Sequence, residues 1–560
     1  MRPGRVNAVG VLVLVLWTAA VLVPLGLAWS QLAAVAEAGI IETLADFEGR
    51  FQSQGSLQFT FVIAFLSTVI TLLLGVPLAW NLGRHRWPAH SLLRGLFTAP
   101  FVMPSILAAM GFLTLISVFE SISGFDLRSN DEMQLAALLL AHAWFNLALV
   151  VRFCEPVLAT VDPSLEEAAR LLPRGRTRSD RLLRLWAPLL TPSLLAAAAM
   201  TFVFSFTSFA LVRHLTPGRR NLEIVMANQA DWAGIRIPEL GRAASEIVMA
   251  ASLVQLLTMV TALGLISWLQ SRARRDISAS VVDARTTAPV RSWKSVHLMM
   301  MAAFVLAPLL GVLVASLQVR QPAGLVWSFD GWRAAVGSQS ATDLTSALGW
   351  SVAYAILTLV IALPLGFLLA ENIHRAERMG HGRFAIAIDV LAMLPLALSA
   401  VMIGLGVLIG LLRTDVTMLR SWWIPAYGHV MITTPFVVRV LLPAIRAIDP
   451  DLDGAAALLG ASPLRRLLSI RLPLLTPSLI VASALVVAIS LGEFGASWVV
   501  VRFTEWSTLP VMVDELLSRP GFDPLLRPAA NAAGVVLLLL TLVLFMMVER
   551  FRPLGRGGDF

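Results

Sequence analysis

Long apolar runs separated by short polar stretches recur along the whole chain. A bilayer span needs about 20 mostly apolar residues. Runs of that kind lie near residues 8–29, 58–80, 95–118, 134–155, 188–213 and 244–268, then near 296–318, 345–370, 384–411, 425–444, 474–501 and 530–549. The pattern predicts an all-α, polytopic membrane protein of about twelve spans. Composition agrees: with 560 residues, 57% of them hydrophobic and 14% charged, there is too little polar surface to cover a soluble globule. Basic residues precede the first run as they do in a signal peptide, but the run exceeds the roughly 7–15 apolar residues of such a segment. It reads as a retained first span.

The pattern repeats. Pro-Leu-Leu-Thr-Pro-Ser-Leu occurs at Pro188–Leu194 and again at Pro473–Leu479, 285 residues later. Upstream, His142 and Val150-Val151-Arg152 match His429 and Val437-Val438-Arg439 at a spacing of 287, so the first copy carries two extra residues between these blocks. Each half is one copy of a common unit. Six expected spans separate the copies, an even number, so the expectation is two parallel six-span repeats rather than inverted ones. Residues 1–270 form the first repeat, polar residues 271–295 a linker, and 296–560 the second repeat.

Charge orients the chain. If the spans alternate, the arginines of the segments before span one, after spans two and four, between the halves and after the last span share one side. The positive-inside rule makes that side, the linker and both termini cytoplasmic. The opposite side is mixed, with Glu37, Glu42, Asp46 and Glu48 but also Arg219, Arg220 and Arg236. This distribution accounts for the net charge of +8 without a nucleic-acid partner. Cys154 is the only cysteine, which excludes a disulfide framework or a cysteine metal cluster. Lys294, the only lysine, follows Trp293, so the chain has no Gly-Lys-Ser/Thr loop for nucleotide phosphates. No cofactor is expected.

After span four the chain reads Asp162-Pro163-Ser164-Leu165-Glu166-Glu167-Ala168-Ala169, and after span ten Asp449-Pro450-Asp451-Leu452-Asp453-Gly454-Ala455-Ala456. Asp followed by Pro starts a helix. Leu165, Ala168, Ala169 and Leu172, like Leu452, Ala455, Ala456 and Leu459, then fall at i, i+3, i+4 and i+7. Each copy is a short amphipathic helix whose alanines let another surface approach closely.

These segments resemble the cytoplasmic motif of binding-protein-dependent ABC importer permeases: Glu-Ala-Ala, three residues, Gly, nine residues, then Ile-x-Leu-Pro. The second copy matches from Ala455-Ala456 through Gly460 to Ile470-Arg471-Leu472-Pro473, with Gly454 where the family has Glu. The first keeps Glu167-Ala168-Ala169 and Gly175, with two extra residues between, and has Ala187-Pro188 in place of Leu-Pro. The resemblance implies that Glu167, Ala168, Ala169, Gly175, Ala455, Ala456 and Gly460 couple the chain to two separate ABC ATPase subunits. It also implies an extracytoplasmic substrate-binding protein and the bacterial cytoplasmic membrane.

Glu493, between glycines in an expected span, is the candidate substrate-path residue, since an intramembrane carboxylate is costly. The alternative is a structural carboxylate paired within the bundle. His142 and His429 suit a shared packing role, and Asp389 a partner on a neighbouring span. The fused arrangement is similar to the iron(III) and thiamine importer class. Leu140-Ala141-His142-Ala143-Trp144-Phe145-Asn146-Leu147 and Gly492-Glu493-Phe494-Gly495 resemble the thiamine permeases, leaving iron(III) as the alternative. An ion-coupled secondary transporter would instead show paired intramembrane charges and need no docking helix. A membrane enzyme would need a nucleophile and base at one depth.

Overall fold

The computed structural model describes residues 8–161, 163–172, 177–276, 285, 292–322, 324–337, 343–413, 417–418, 421–501, 506–520 and 522–551. Helices follow the apolar runs. In the first half they are α1 (Ala8–Ala33), α2 (Ser56–Arg84), α3 (Ser105–Ser123), α4 (Asp131–Thr160), α5 (Pro163–Leu171), α6 (Ala187–Phe206), α7 (Ala210–Leu215), α8 (Leu222–Gln229) and α9 (Leu240–Asp276). The second half begins with α10 (Ser292–Ala315) and a hairpin of β1 (Gln318–Gln321) with β2 (Gly324–Trp327). There follow α11 (Leu344–Arg378), α12 (Gly382–Ala397), α13 (Ala400–Leu405), α14 (Ile424–Arg446), α15 (Pro450–Leu458), α16 (Leu472–Gly492), α17 (Gly495–Val501), α18 (Leu509–Ser518) and α19 (Leu526–Phe551). Among the described residues eleven helices are long and apolar enough to cross a membrane, or twelve if one bent pair is a single span.

Four expected spans are not continuous helices, among them 95–118, where one helix ends at Thr98 and the next starts at Ser105. The run 384–411 bends by 91° between α12 and the helix that begins at Ala400, where the Ser399 side chain accepts from Met402 N and starts a new helix. The run 474–501 stops at Gly492 and restarts at Gly495, and 188–213 stops at Phe206 and restarts at Ala210. Hydropathy cannot see these breaks. At two of them a side-chain oxygen satisfies the backbone N–H groups of the restarting helix, Ser399 for Met402 and Glu493 for Ala496 and Ser497.

The repeats interlock through their first spans. Asn372 on α11 donates to Gly10 O of α1 at 3.0 Å, and Asn81 on α2 donates to Lys294 O of α10 at 2.9 Å. Each first span therefore lies on the opposite half. Glycine permits the approach: a Cβ on Gly111 of α3 would stand 2.6 Å from Pro308 Cβ of α10, and one on Gly410 would strike Pro24 of α1. Within each half, the span carrying Gly75 or Gly366 packs on the span carrying Val150 or Val437. A Cβ there would lie 2.7 Å from Val150 Cβ or 2.6 Å from Val437 Cβ. Small residues at such contacts give the van der Waals packing that holds helices together in lipid.

The expected connection 271–295 is narrower, because α9 continues to Asp276 and α10 starts at Ser292. Between them only Arg285 is described. It pairs with the buried Glu155 of α4, which also lies 3.6 Å from Arg94 Nε.

Candidate functional site

The two amphipathic segments are the nine-residue helices α5 and α15. Asp449 caps α15 by accepting from Asp451 N at 2.9 Å. Gly460 stops it. Its φ of +83° is left-handed, and Ala461 N donates to Ala456 O at 3.0 Å, a closure that favours glycine. Both helices present leucines to the outside: Leu458 is 91% exposed, Leu459 89% and Leu171 84%. No residue of α15 is buried, so it holds its place through polar tethers, not through its own core contacts.

Those tethers run from one acidic residue in each helix. Glu166 Oε2 accepts from Arg84 Nη2 of α2 at 3.1 Å, with Arg170 and Arg181 at 3.2 and 3.8 Å. Asp453, at the equivalent position of the second repeat, accepts from Arg466 Nη1 at 3.2 Å and Arg471 Nη2 at 3.3 Å. Each helix then joins its span through a widened π-turn, Leu182–Trp186 in the first half and Leu467–Arg471 in the second. The two turns occupy the same repeat position, 285 residues apart, and such turns concentrate at functional sites.

A second constellation lies where the repeats meet. Phe209 and Phe494 stack with centroids 5.3 Å apart and planes at 25°, and Trp498 lies edge-on to Phe209 at 5.3 Å. Beside them Asp514 accepts from Arg213 Nε at 2.6 Å and Trp498 Nε1 at 2.8 Å, while His214 Nε2 stands 3.0 Å away. The Arg213 guanidinium lies over the Trp498 ring at 4.7 Å. Burial pushes the Asp514 carboxyl up. His214 and Arg213 outweigh that and hold it at about 2.

Glu493 sits at this junction in the break between α16 and α17. Its oxygens accept from Ala496 N at 2.7 Å, Ser497 N at 2.9 Å and Ser497 Oγ at 2.6 Å. His429 Nε2 is 3.4 Å away. The carboxylate thus caps a helix start, and its flanking glycines fit the break: a Cβ on Gly492 would stand 2.9 Å from Pro104 Cγ. His429 also bonds Ser490 at 2.7 Å and Ser497 at 2.8 Å, while His142 bonds Ser67 at 2.8 Å. Asp389 lies 3.5 Å from Arg439 of α14.

Of the residues expected to couple, Glu167, Ala168, Ala455 and Gly460 are exposed, and Ala169 and Ala456 are half-buried. Gly175 lies outside the described residues. Sequence reasoning passed over Glu166 and Asp453. Their signal was available: both are acidic and they lie 287 residues apart, the spacing of the repeat.

Two linked repeats of membrane-spanning helices, each carrying an exposed leucine-bearing helix on polar tethers, define a polytopic membrane protein. No protein-family model matches the chain. The chain is 34% identical over 157 residues to a putative 2-aminoethylphosphonate transport system permease protein of Salmonella paratyphi A, covering 28% of this chain and 57% of that one. It is 28% identical over 242 residues to the sulfate transport system permease protein of Escherichia coli (strain K12), covering 40% of this chain and 79% of that one. The thiamine transport system permease protein of Brucella abortus (strain 2308) is 26% identical over 513 residues, 88% of this chain and 87% of that one. The chain is thus similar to permease proteins of ABC transport systems, and to the thiamine permease protein along both repeats.

Proposed function

We propose that the chain is the transmembrane subunit of an ATP-driven importer. In this reading α5 and α15 each seat in an ATP-hydrolysing subunit, and an extracytoplasmic binding protein delivers substrate at the other end. The side bearing α5, α15 and both termini is cytoplasmic. The observation that carries this reading is the pair of exposed leucine-bearing helices at one repeat position, with alanines where close approach is needed. Glu167, Ala168, Ala169 and Gly175 serve the first ATPase contact, and Ala455, Ala456 and Gly460 the second. Co-purification tests it: Ala169→Asp with Ala456→Asp places charge in both contacts and should release the ATPase subunits while the permease stays folded. Retention of both subunits by the double variant would overturn the reading.

For substrate, thiamine or its phosphates is the reading we favour, because the similarity to a thiamine permease runs through both repeats whereas the phosphonate and sulfate similarities cover less than half of the chain. Glu493 acts on the path by fixing the break beside Phe494. Uptake of labelled thiamine in cells that depend on this transporter should be displaced by excess thiamine but not by sulfate or 2-aminoethylphosphonate. Displacement by either anion alone would reassign the substrate.

A further inference from the structure

The repeat relation exposes a substitution of forces at the elbow between docking helix and span. Trp80 of α2 and Glu371 of α11 are equivalent, since Leu74-Gly75 and Leu365-Gly366 align them at a spacing of 291, and Asn81 and Asn372 follow directly. Trp186 and Arg471 are equivalent at 285, each ending its π-turn. In the first half Trp80 and Trp186 pack edge to face with centroids 4.8 Å apart. At the same place in the second half, Glu371 accepts from Arg471 Nη1 at 2.6 Å.

The arginines exchange roles to match. Arg84 lies over the Trp186 ring at 4.6 Å and reaches Glu166 of α5 directly. Arg375, its counterpart at 291, instead donates to Glu371 at 2.9 Å, and Arg471 takes over the contact with the docking helix by bonding Asp453. Arg471 thus joins α15 to α11, one guanidinium bridging two carboxylates.

We infer that Arg471 and Glu371 fasten the second docking helix to α11, and that Trp80 and Trp186, beside the Arg84–Glu166 pair, do the same work for α2 in the first half, so that the two elbows are built from different interactions. The inference rests on the reading of α5 and α15 as ATPase-docking helices. The Arg471–Glu371 link is a partly buried ion pair, whereas the Trp80–Trp186 link is an aromatic contact. Removing only the arginine leaves the buried Glu371 with Arg375 alone and cuts the link to Asp453.

Site-resolved hydrogen exchange on the complete transporter, with and without a non-hydrolysable ATP analogue, tests this without knowledge of the substrate. In the unmodified complex the analogue should change exchange in both 56–84 and 344–378. Arg471→Met should abolish the response of 344–378, keep that of 56–84 and keep both ATPase subunits bound. Glu371→Trp with Arg471→Trp, which copies the first half, should restore it. An unchanged response of 344–378 in Arg471→Met would overturn the fastener, and failure of the double tryptophan variant would overturn the equivalence of the two elbows. No response in either span of the unmodified complex would instead overturn the docking reading itself.

Discussion

Phe209 and Phe494 occupy the same position of the two repeats, 285 residues apart, and stack on one another where the halves meet. The next turn repeats the relation, since Arg213 and Trp498 are also 285 apart and in cation–π contact. Residues on equivalent elements can touch their own counterparts only where the axis relating the repeats passes between them. This junction therefore marks the axis. In a double-mutant cycle, Phe209→Leu and Phe494→Leu should show a stability coupling of about 0.5–1.5 kcal/mol, the range for aromatic pairs. Strict additivity would deny the contact.

Asp514 should give this junction an acid-sensitive component. Its folded pKa of about 2 lies below the ordinary 3.8, so its contribution is fully present above the unfolded value and is lost as pH falls through about 2. Thermal melts of detergent-solubilised protein should therefore converge for the natural protein and Asp514→Asn between about pH 4 and pH 2, and differ most above that window. Parallel curves throughout would remove Asp514 from the account.

Glu493→Gln should destabilise the fold. An amide has one acceptor oxygen in place of two, so Ala496 N, Ser497 N and the Ser497 hydroxyl can no longer all be satisfied. The expected loss is about 1–3 kcal/mol, the cost of an unsatisfied buried polar group, read as a lowered melting temperature with uptake reduced in step. Normal melting with lost uptake would assign the carboxylate to the substrate rather than to the break.

Gly75 and Gly366 should be equally intolerant. An added methyl would come within 2.7 Å of Val150 Cβ or 2.6 Å of Val437 Cβ, and overpacking of this kind costs roughly 1–3 kcal/mol. Melting of Gly75→Ala and Gly366→Ala should show comparable losses. Gly454, with nothing within 4 Å of an added Cβ, is the control: Gly454→Glu should melt no lower than the natural protein.

The sequence by itself determined the solvent, the repeat and the two short exposed helices. A bilayer imposes a length of apolar chain, and a short helix exposed to water must declare its start and its face through local residues such as Asp449, Pro450 and the leucine–alanine stripe. Those constraints act within a few residues and can be read in order. Tertiary structure decided where the spans break, because Glu493 and Ser399 become caps only through the particular N–H groups they meet. It also decided that each first span crosses to the other half, since Asn81 and Asn372 carry no mark of the carbonyl that accepts from them. The elbow shows the division most clearly. Aligned in sequence, Trp80 against Glu371 and Trp186 against Arg471 look like two unrelated changes; only packing across the helix contact makes a pair in each half, one an aromatic contact and the other an ion pair.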